Sequence, residues 1–104
     1  MAEYIPGAGE GVATRQKSET KLPRRYRVLL HNDDYTTMEF VVEVLTGIFR
    51  KPQAEAVRIM YKVHRNGAGM CGVYTGQIAE TKVAAVHKLA RECGFPLRCS
   101  MEPE

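Results

Sequence analysis

The sequence YRVLLHNDDYTTMEFV, residues 26–41, contains the strand, the turn and the helix start from which the fold can be predicted. Residues 26–30 are aromatic or aliphatic apart from one arginine, which is typical of a short strand. Asn32, Asp33 and Asp34 favour a turn after it, because their side chains hydrogen-bond to nearby backbone groups. Thr36 and Glu39 have the spacing of a capping box, so we expect a helix to begin here.

The sequence after this turn predicts three helices and two further strands. The apolar stripe of the first helix comprises Met38, Val41, Val42, Leu45 and Phe49. A second helix is expected to have Pro52 in its first turn and to stop at Gly67. Its buried face is predicted to contain Ala56, Ile59, Met60 and Val63, extended by His64. A strand over 69–74, a third helix over 76–93 with Gly94 as its cap, and a last strand after Pro96 follow.

This order of elements predicts an α+β fold. Three helices would cover one face of a three-stranded sheet, giving a two-layer α/β sandwich. Antiparallel pairing is expected, because the other face of so small a sheet stays in water. Residues 1–23 are rich in glycine and poor in large apolar side chains. We therefore predict a flexible N-terminal tail over 1–23 and a core domain over 24–104.

The composition argues against several classes of protein. The chain has 104 residues, of which 44% are hydrophobic and 26% charged, as in an ordinary globular domain. No apolar stretch approaches the roughly 20 residues of a membrane span, and residues 1–13 lack the apolar core of a secretory signal. The net charge of +3 is not gathered into a stripe with aromatic residues. We expect a cytoplasmic protein that binds neither nucleic acid nor membrane.

The residues that usually carry metal or covalent chemistry are not arranged for it. The cysteines, Cys71, Cys93 and Cys99, are odd in number and have no C-x-x-C spacing. We expect them to be reduced packing residues rather than disulfides or zinc ligands. The histidines do not have the H-E-x-x-H spacing, and no phosphate-binding or dinucleotide motif occurs. The sequence therefore predicts no cofactor, no metal and no catalytic activity.

The polar residues after the first strand are candidates for binding a cation. An α-ammonium group donates three hydrogen bonds and needs carboxylate, amide or neutral imidazole acceptors. Asn32, Asp33, Asp34 and His64 offer that mixture if the second helix packs against the end of the strand. The same residues also fit a plain turn beside a boundary histidine, or a metal-dependent hydrolase. A structural module like the ribosomal stalk domain is a further alternative, because one fold serves many functions.

Four stretches of the sequence resemble the ClpS adaptor family. Residues 26–41 resemble its signature, and MYKVHRNG (60–67), CGVYT (71–75) and AETKV (79–83) follow in the same order. The resemblance covers residues 26–104. It implies an adaptor that binds N-degrons, meaning substrates whose first residue is Leu, Phe, Tyr or Trp. It further implies that these substrates are delivered to the AAA+ unfoldase ClpA for degradation by ClpAP.

The resemblance also implies roles for individual residues. Asn32, Asp34 and His64 would hold the α-ammonium, and Asp33 would contact the same group or the next backbone unit. The pocket for the first side chain would be lined by Leu30, Thr36, Met38, Val41, Met60, Val63 and Leu97. The contact with the N-terminal domain of ClpA would involve Gln77, Glu80, Thr81 and Lys82.

Three further expectations come from the same resemblance. Met38 would exclude β-branched first residues. His31 stands where many members have an aliphatic residue next to the pocket, so the depth or polarity of the pocket is expected to differ. We also expect a monomer whose tail is engaged by the unfoldase.

Overall fold

The computed structural model describes residues 22–104, in which three helices pack on one face of a three-stranded sheet. The elements are β1 (Arg25–His31), α1 (Met38–Gly47), α2 (Gln53–Asn66), β2 (Ala68–Thr75), α3 (Gly76–Cys93) and β3 (Arg98–Pro103). The strand order is β2-β1-β3, and both pairings are antiparallel. The predicted α+β sandwich and its order of elements are confirmed. Of the predicted tail, all but Leu22 and Pro23 lies outside the described residues, so the tail stays a prediction.

The core lies between the sheet and the helices. Side chains of β1 alternate, so that Val28 and Leu30 are completely buried while Arg27 faces solvent. The helices supply most of the remaining core, including Phe40, Val41, Val44, Leu45, Ala56, Ile59, Met60, Val63, Ala79, Val86 and Ala90. Burying each large apolar side chain contributes roughly 1.5–3 kcal/mol, so this face determines how the helices dock.

The two ends of α1 differ from the prediction. The N-cap is Thr37, whose hydroxyl oxygen accepts a hydrogen bond of 3.1 Å from the Phe40 N–H. The capping box predicted for Thr36 was wrong, because the Thr36 hydroxyl donates to Asp33 instead. Phe49 is buried as expected, but it lies beyond the last residue of α1, in the connector to α2. Pro52 is the N-cap of α2 rather than its first helical residue.

Two of the cysteines are packing residues, as predicted. Cys71 and Cys99 are buried on β2 and β3, and burial raises the pKa of both thiols, that of Cys99 to about 12. A thiol with so high a pKa is not a nucleophile near neutral pH. Cys93 is also free but exposed, at the end of α3. Within residues 22–104, no helix has the length and apolar character needed to cross a membrane.

Two glycines end helices in the left-handed conformation, and a third allows a close approach. Gly67 and Gly94 cap α2 and α3 with φ of +88° and +80°, as the sequence predicts. Gly69 is buried where β2 passes under α2, next to the side chain of Val63. The distance between α2 and β2 therefore depends on the absence of a side chain at position 69.

We expect Gly69→Ala to lower the free energy of unfolding by about 1–3 kcal/mol, because overpacking strains a tight contact. The new methyl carbon would lie 2.8 Å from Val63 Cγ2 and 3.5 Å from the Ile59 carbonyl oxygen. Gly47→Ala is the matched control, since nothing lies within 4 Å of its added carbon. It should raise stability by about 0.5–1 kcal/mol, because alanine favours helix. Urea denaturation measures the free energy of unfolding of both variants. A Gly69→Ala variant that is stabilised, as Gly47→Ala is expected to be, would contradict the close packing of α2 on β2.

Candidate functional site

A cleft opens where the end of β1 meets the start of α1 and the second half of α2. Its volume is about 220 Å³. The residues that line it are Asn32, Asp33, Asp34, Thr36, Met38, Val41, Met60 and His64. All four residues proposed for the α-amino group thus meet in one cleft with four of the seven proposed for the pocket.

A backbone hydrogen bond brings the two halves of the cleft together. The Asn32 N–H donates to the Gly67 carbonyl oxygen over 2.9 Å, which ties the end of β1 to the end of α2. Gly67 can direct its carbonyl there because it adopts the left-handed conformation, and its own N–H still caps Val63. His64 is in the last turn of α2, so this bond places its imidazole beside the turn that follows β1.

The Asp33 carboxylate organises that turn. One of its oxygens accepts hydrogen bonds from the Tyr35 and Thr36 N–H groups, at 2.8 and 2.7 Å, and the other accepts from the Thr36 hydroxyl at 2.7 Å. Partial burial acts to raise the pKa of Asp33, but these three hydrogen bonds outweigh it and the pKa is lowered. Asp33 is therefore an ionised group whose oxygens are already engaged within the turn.

Asp34 and His64 are available to a ligand. Both side chains are exposed, and neither takes part in a hydrogen bond or ion pair among residues 22–104. The prediction that His64 extends the buried face of α2 was wrong: its side chain is exposed, although Met60 and Val63 on that face are buried. The Asn32 side chain is exposed as well. An amide, a carboxylate and an imidazole thus line the mouth of the cleft, and among residues 22–104 none of these side chains has a hydrogen-bond or ion-pair partner.

The opposite wall of the cleft is apolar. Met38 is 41% exposed at its mouth, whereas Val41 and Met60 are only 7% and 6% exposed. The other residues proposed for the pocket, Leu30, Val63 and Leu97, are buried in the core cluster and are not among the residues lining the cleft. The apolar wall is therefore continuous with the hydrophobic core beneath it.

His31, which the resemblance places next to the pocket, is not among the residues that line the cleft. It is paired with Arg98 on β3, on the face of the sheet away from the helices, and its Nε2 lies 2.6 Å from the Ser100 hydroxyl oxygen. Partial burial, followed by the charge of Arg98, lowers the pKa of His31. Because β1 side chains alternate, Leu30 points to the core while His31 points to the open face.

A second groove, of about 360 Å³, adjoins the cleft and shares Met38 and Met60 with it. Its other lining residues are Glu39, Val42, Glu43, Thr46 and Gln53. This second groove was not predicted from the sequence. The sequence feature that could have indicated this groove is the spacing of Glu39 and Glu43, which are four residues apart and so share one side of α1.

The residues proposed for the unfoldase contact lie apart from the cleft, on α3. Gln77, Glu80 and Thr81 are exposed. Lys82 is only partly exposed, and its ammonium donates a hydrogen bond of 2.8 Å to the Ile48 carbonyl oxygen. The first three residues therefore form an open helix surface, while Lys82 contacts the α1–α2 connector, residues 48–52.

A metal-dependent hydrolase receives no support from this arrangement. Among residues 22–104, no three side chains of the His, Cys, Asp and Glu types are grouped closely enough to ligate a metal ion. Asp33 in particular uses both oxygens within its own turn.

Comparison with known proteins identifies relatives of this chain. Residues 21–100 match the family model described as ATP-dependent Clp protease adaptor protein ClpS. The ATP-dependent Clp protease adapter protein ClpS of Oleidesulfovibrio alaskensis is 65% identical over 86 residues, which is 83% of each chain. That of Maricaulis maris is 62% identical over 96 residues, 92% of this chain and 88% of the relative.

A solved structure agrees with these matches. The structure of Agrobacterium tumefaciens ClpS2 bound to L-phenylalaninamide has a TM-score of 0.77 and 43% identity, covering 80% of this chain and 100% of that one.

We expect Asp33→Ala to lower the free energy of unfolding by about 1–2 kcal/mol near neutral pH, because the turn loses three hydrogen bonds to a charged group. Since folding lowers the pKa of Asp33, its contribution is complete above the unfolded value, about pH 4, and is lost as pH falls through the lower folded value. The difference between wild type and variant should therefore shrink below about pH 4.

Urea denaturation between neutral and acidic pH measures this difference in the free energy of unfolding. Asp34→Ala is the control, because the Asp34 carboxylate accepts no hydrogen bond among residues 22–104. A difference that stays constant down to acidic pH would show that the Asp33 charge does not hold the turn.

Proposed function

The chain belongs to the ClpS family of ATP-dependent Clp protease adaptor proteins, and we propose that it recognises the free amino terminus of its substrates in the cleft. It is an adaptor and not an enzyme, so its chemistry is that of selective, reversible binding. The observation that carries the proposal is the composition of the cleft. Amide, carboxylate and imidazole groups that have no partner among residues 22–104 line the same cleft as apolar side chains.

The ligand of the Agrobacterium tumefaciens relative supports the proposal. L-phenylalaninamide has a free α-amino group, an aromatic side chain and an amide in the position of a first peptide bond. It therefore has the chemistry of the first residue of a protein chain. The cleft of this chain, at about 220 Å³, is smaller than the ~300–1,000 Å³ of sites for drug-sized ligands, and it suits a single residue.

The polar side of the cleft would hold the α-ammonium. Asn32 and Asp34 supply oxygen acceptors, and His64 supplies a ring nitrogen in its neutral form. Asp33 lines the same cleft, and its charge favours a cation there. Because both of its oxygens are engaged by Tyr35 and Thr36, we assign its main role to positioning the turn.

The apolar side would take the first side chain. Met38, Val41 and Met60 line the wall together with Thr36. Leu30, Val63 and Leu97 belong to the core cluster that also contains Val41 and Met60. Methionine adapts to ligands of different shape because its unbranched side chain has many rotamers. We propose Leu, Phe, Tyr and Trp as the accepted first residues.

Both parts of the ligand are needed for binding. Burying one large apolar side chain contributes roughly 1.5–3 kcal/mol, and each hydrogen bond to a charged group on the order of 1.5–3 kcal/mol. Association itself costs about 4–15 kcal/mol, so neither contribution is enough alone. An internal Leu or Phe has no ammonium group and would desolvate Asp34 without giving it a partner. Internal residues should therefore be rejected.

Delivery requires a second surface, which we place on α3. Gln77, Glu80 and Thr81 are exposed there, with Lys82 at the edge of the surface. Ile78, which is 50% exposed, adds apolar area that the sequence analysis did not identify. We propose that this surface meets the N-terminal domain of a ClpA-type unfoldase. The segment before residue 24 would then be engaged by the same unfoldase while a monomeric adaptor holds the substrate.

The first test is fluorescence-anisotropy binding of two labelled peptides that begin with Phe and differ only in N-terminal acetylation. We expect saturable binding of the free amine and none of the acetylated peptide, because acetylation removes the charge and two of the donors. Asp34→Ala and His64→Ala should each weaken binding about 10-fold or more, as expected for a lost charge-assisted hydrogen bond.

Glu92→Ala on α3 is the matched control for charge, since Glu92 is exposed and not among the residues lining the cleft. Equal binding of the acetylated and free peptides would overturn the proposed amine site. Unchanged affinity in both cleft variants would do the same.

A second test concerns Met38, which stands at the mouth of the cleft. We expect Met38→Ala to bind peptides beginning with Ile or Val that wild type rejects, because the shorter side chain leaves room for a branch at Cβ. Val42→Ala, one turn further along α1 in the adjoining groove, is the control. Competition against the Phe peptide measures the selectivity. The same selectivity in Met38→Ala and wild type would mean that Met38 does not select the first residue.

A further inference from the structure

The α1–α2 connector, residues 48–52, is held by a side chain from a different element. Lys82 of α3 donates a hydrogen bond of 2.8 Å from its ammonium to the Ile48 carbonyl oxygen. The same ammonium lies 5.8 Å from the centre of the Phe49 ring and 5.2 Å from that of Tyr74. A cation that also lies over two aromatic rings is held in place more firmly than a surface lysine.

The end of α1 needs this cation. Its last turn contains no basic residue that would complement the negative end of the helix dipole. The Phe49 and Lys51 N–H groups bond back to the Val44 and Leu45 carbonyl oxygens, which leaves the Ile48 carbonyl to Lys82. Lys82 thus supplies from α3 a hydrogen-bond donor for the carbonyl oxygen of Ile48, the C-cap residue of α1.

The connector also contains a strained residue. Arg50 has a φ of +58°, a left-handed conformation that is unfavourable for a residue with a side chain. Such conformations persist where the surrounding contacts hold them, and they are found at functional sites. The contacts on either side of Arg50 are the Lys82 bond to Ile48 and the Lys51 bond to Leu45.

This connector joins the two helices that form the cleft. Met38 and Val41 belong to α1, and Met60 and His64 belong to α2. A connector between two helices restrains the angle between them. The Lys82 hydrogen bond to the connector can therefore affect the angle between α1 and α2, and with it the width of the cleft. Lys82 is not among the residues lining the cleft, so any effect on binding must be transmitted through these helices.

We propose that Lys82 is a positioning residue that clamps the α1–α2 connector and thereby sets the shape of the substrate cleft. This role is separate from a contact with the unfoldase, because it uses the ammonium inside the molecule. It rests on the proposed function only in that peptide binding is its readout.

The test compares the binding of two peptides, one beginning with Phe and one with Ile, to Lys82→Met and wild type. Methionine keeps an unbranched stem but cannot donate to Ile48. We expect the Kd for the Phe peptide to rise about 2- to 30-fold, the range by which residues between coupled sites alter affinity. The preference for Phe over Ile should fall, because the walls of the cleft are less fixed. Lys82→Arg should have the wild-type Kd and the wild-type preference for Phe, since the arginine guanidinium can donate to the same carbonyl oxygen.

Two controls separate this effect from general loss of stability. Lys88→Met removes an exposed lysine of the same helix, one that lies 3.9 Å from Glu92. Val86→Ala removes buried volume from α3 and destabilises the fold without changing the clamp. Both should keep the wild-type Kd and selectivity at temperatures where the protein is folded. A folded Lys82→Met variant with wild-type Kd and selectivity would overturn the clamp.

Hydrogen exchange of the wild-type protein gives a test that needs no variant. Saturating Phe peptide should slow exchange of the Phe49 and Lys51 amides, although neither residue is among those lining the cleft. Unchanged exchange at both amides would overturn the proposed coupling. If the wild-type protein bound no free-amine peptide at all, the proposed function would itself fail, which is a result distinct from either of these.

Discussion

The hydrogen bond between the Asn32 N–H and the Gly67 carbonyl oxygen is the interaction on which the candidate site depends. It joins the end of β1 to the end of α2, which are separated by the whole of α1 and most of α2 in the chain. Gly67 makes it possible, because a left-handed residue turns the chain out of α2 and into β2 at once. Asn32, Asp34 and His64 become neighbours through this bond. Without it, the acidic turn would be an ordinary strand end and His64 an ordinary surface residue.

Two adjacent carboxylates have different roles because their hydrogen bonds differ. Asp33 accepts three hydrogen bonds from the two residues that precede the N-cap of α1, so it fixes the direction in which α1 leaves the sheet. Asp34 accepts none among residues 22–104 and faces solvent. A carboxylate engaged by its own turn, next to one with no partner among residues 22–104, is a suitable arrangement for binding a cation, because the turn is fixed while the second carboxylate stays accessible.

The cleft is also a gap in the hydrophobic core, which links stability to function. Val41 and Met60 belong at once to the core cluster and to the cleft wall, and Met38 stays partly exposed at its mouth. A small domain has little apolar area to spare, so a ligand that covered this wall would add stability. Outside the cleft, α1 and α2 are joined by the connector, where a strained Arg50 lies close in sequence to Ile48, whose carbonyl oxygen Lys82 binds.

The amino-acid sequence by itself determined the order of elements, the left-handed caps at Gly67 and Gly94, the apolar face of α2 and the residue types of the cleft. These features depend on interactions between residues a few positions apart, which leave a visible spacing. Only the tertiary structure decided that Thr37 rather than Thr36 caps α1, that His64 is exposed and that His31 faces away from the cleft. It also decided that Lys82 donates to the carbonyl oxygen of Ile48, the C-cap of α1, across 34 positions of sequence. Contacts between residues so far apart are set by how whole elements pack, and no local pattern in the sequence records them.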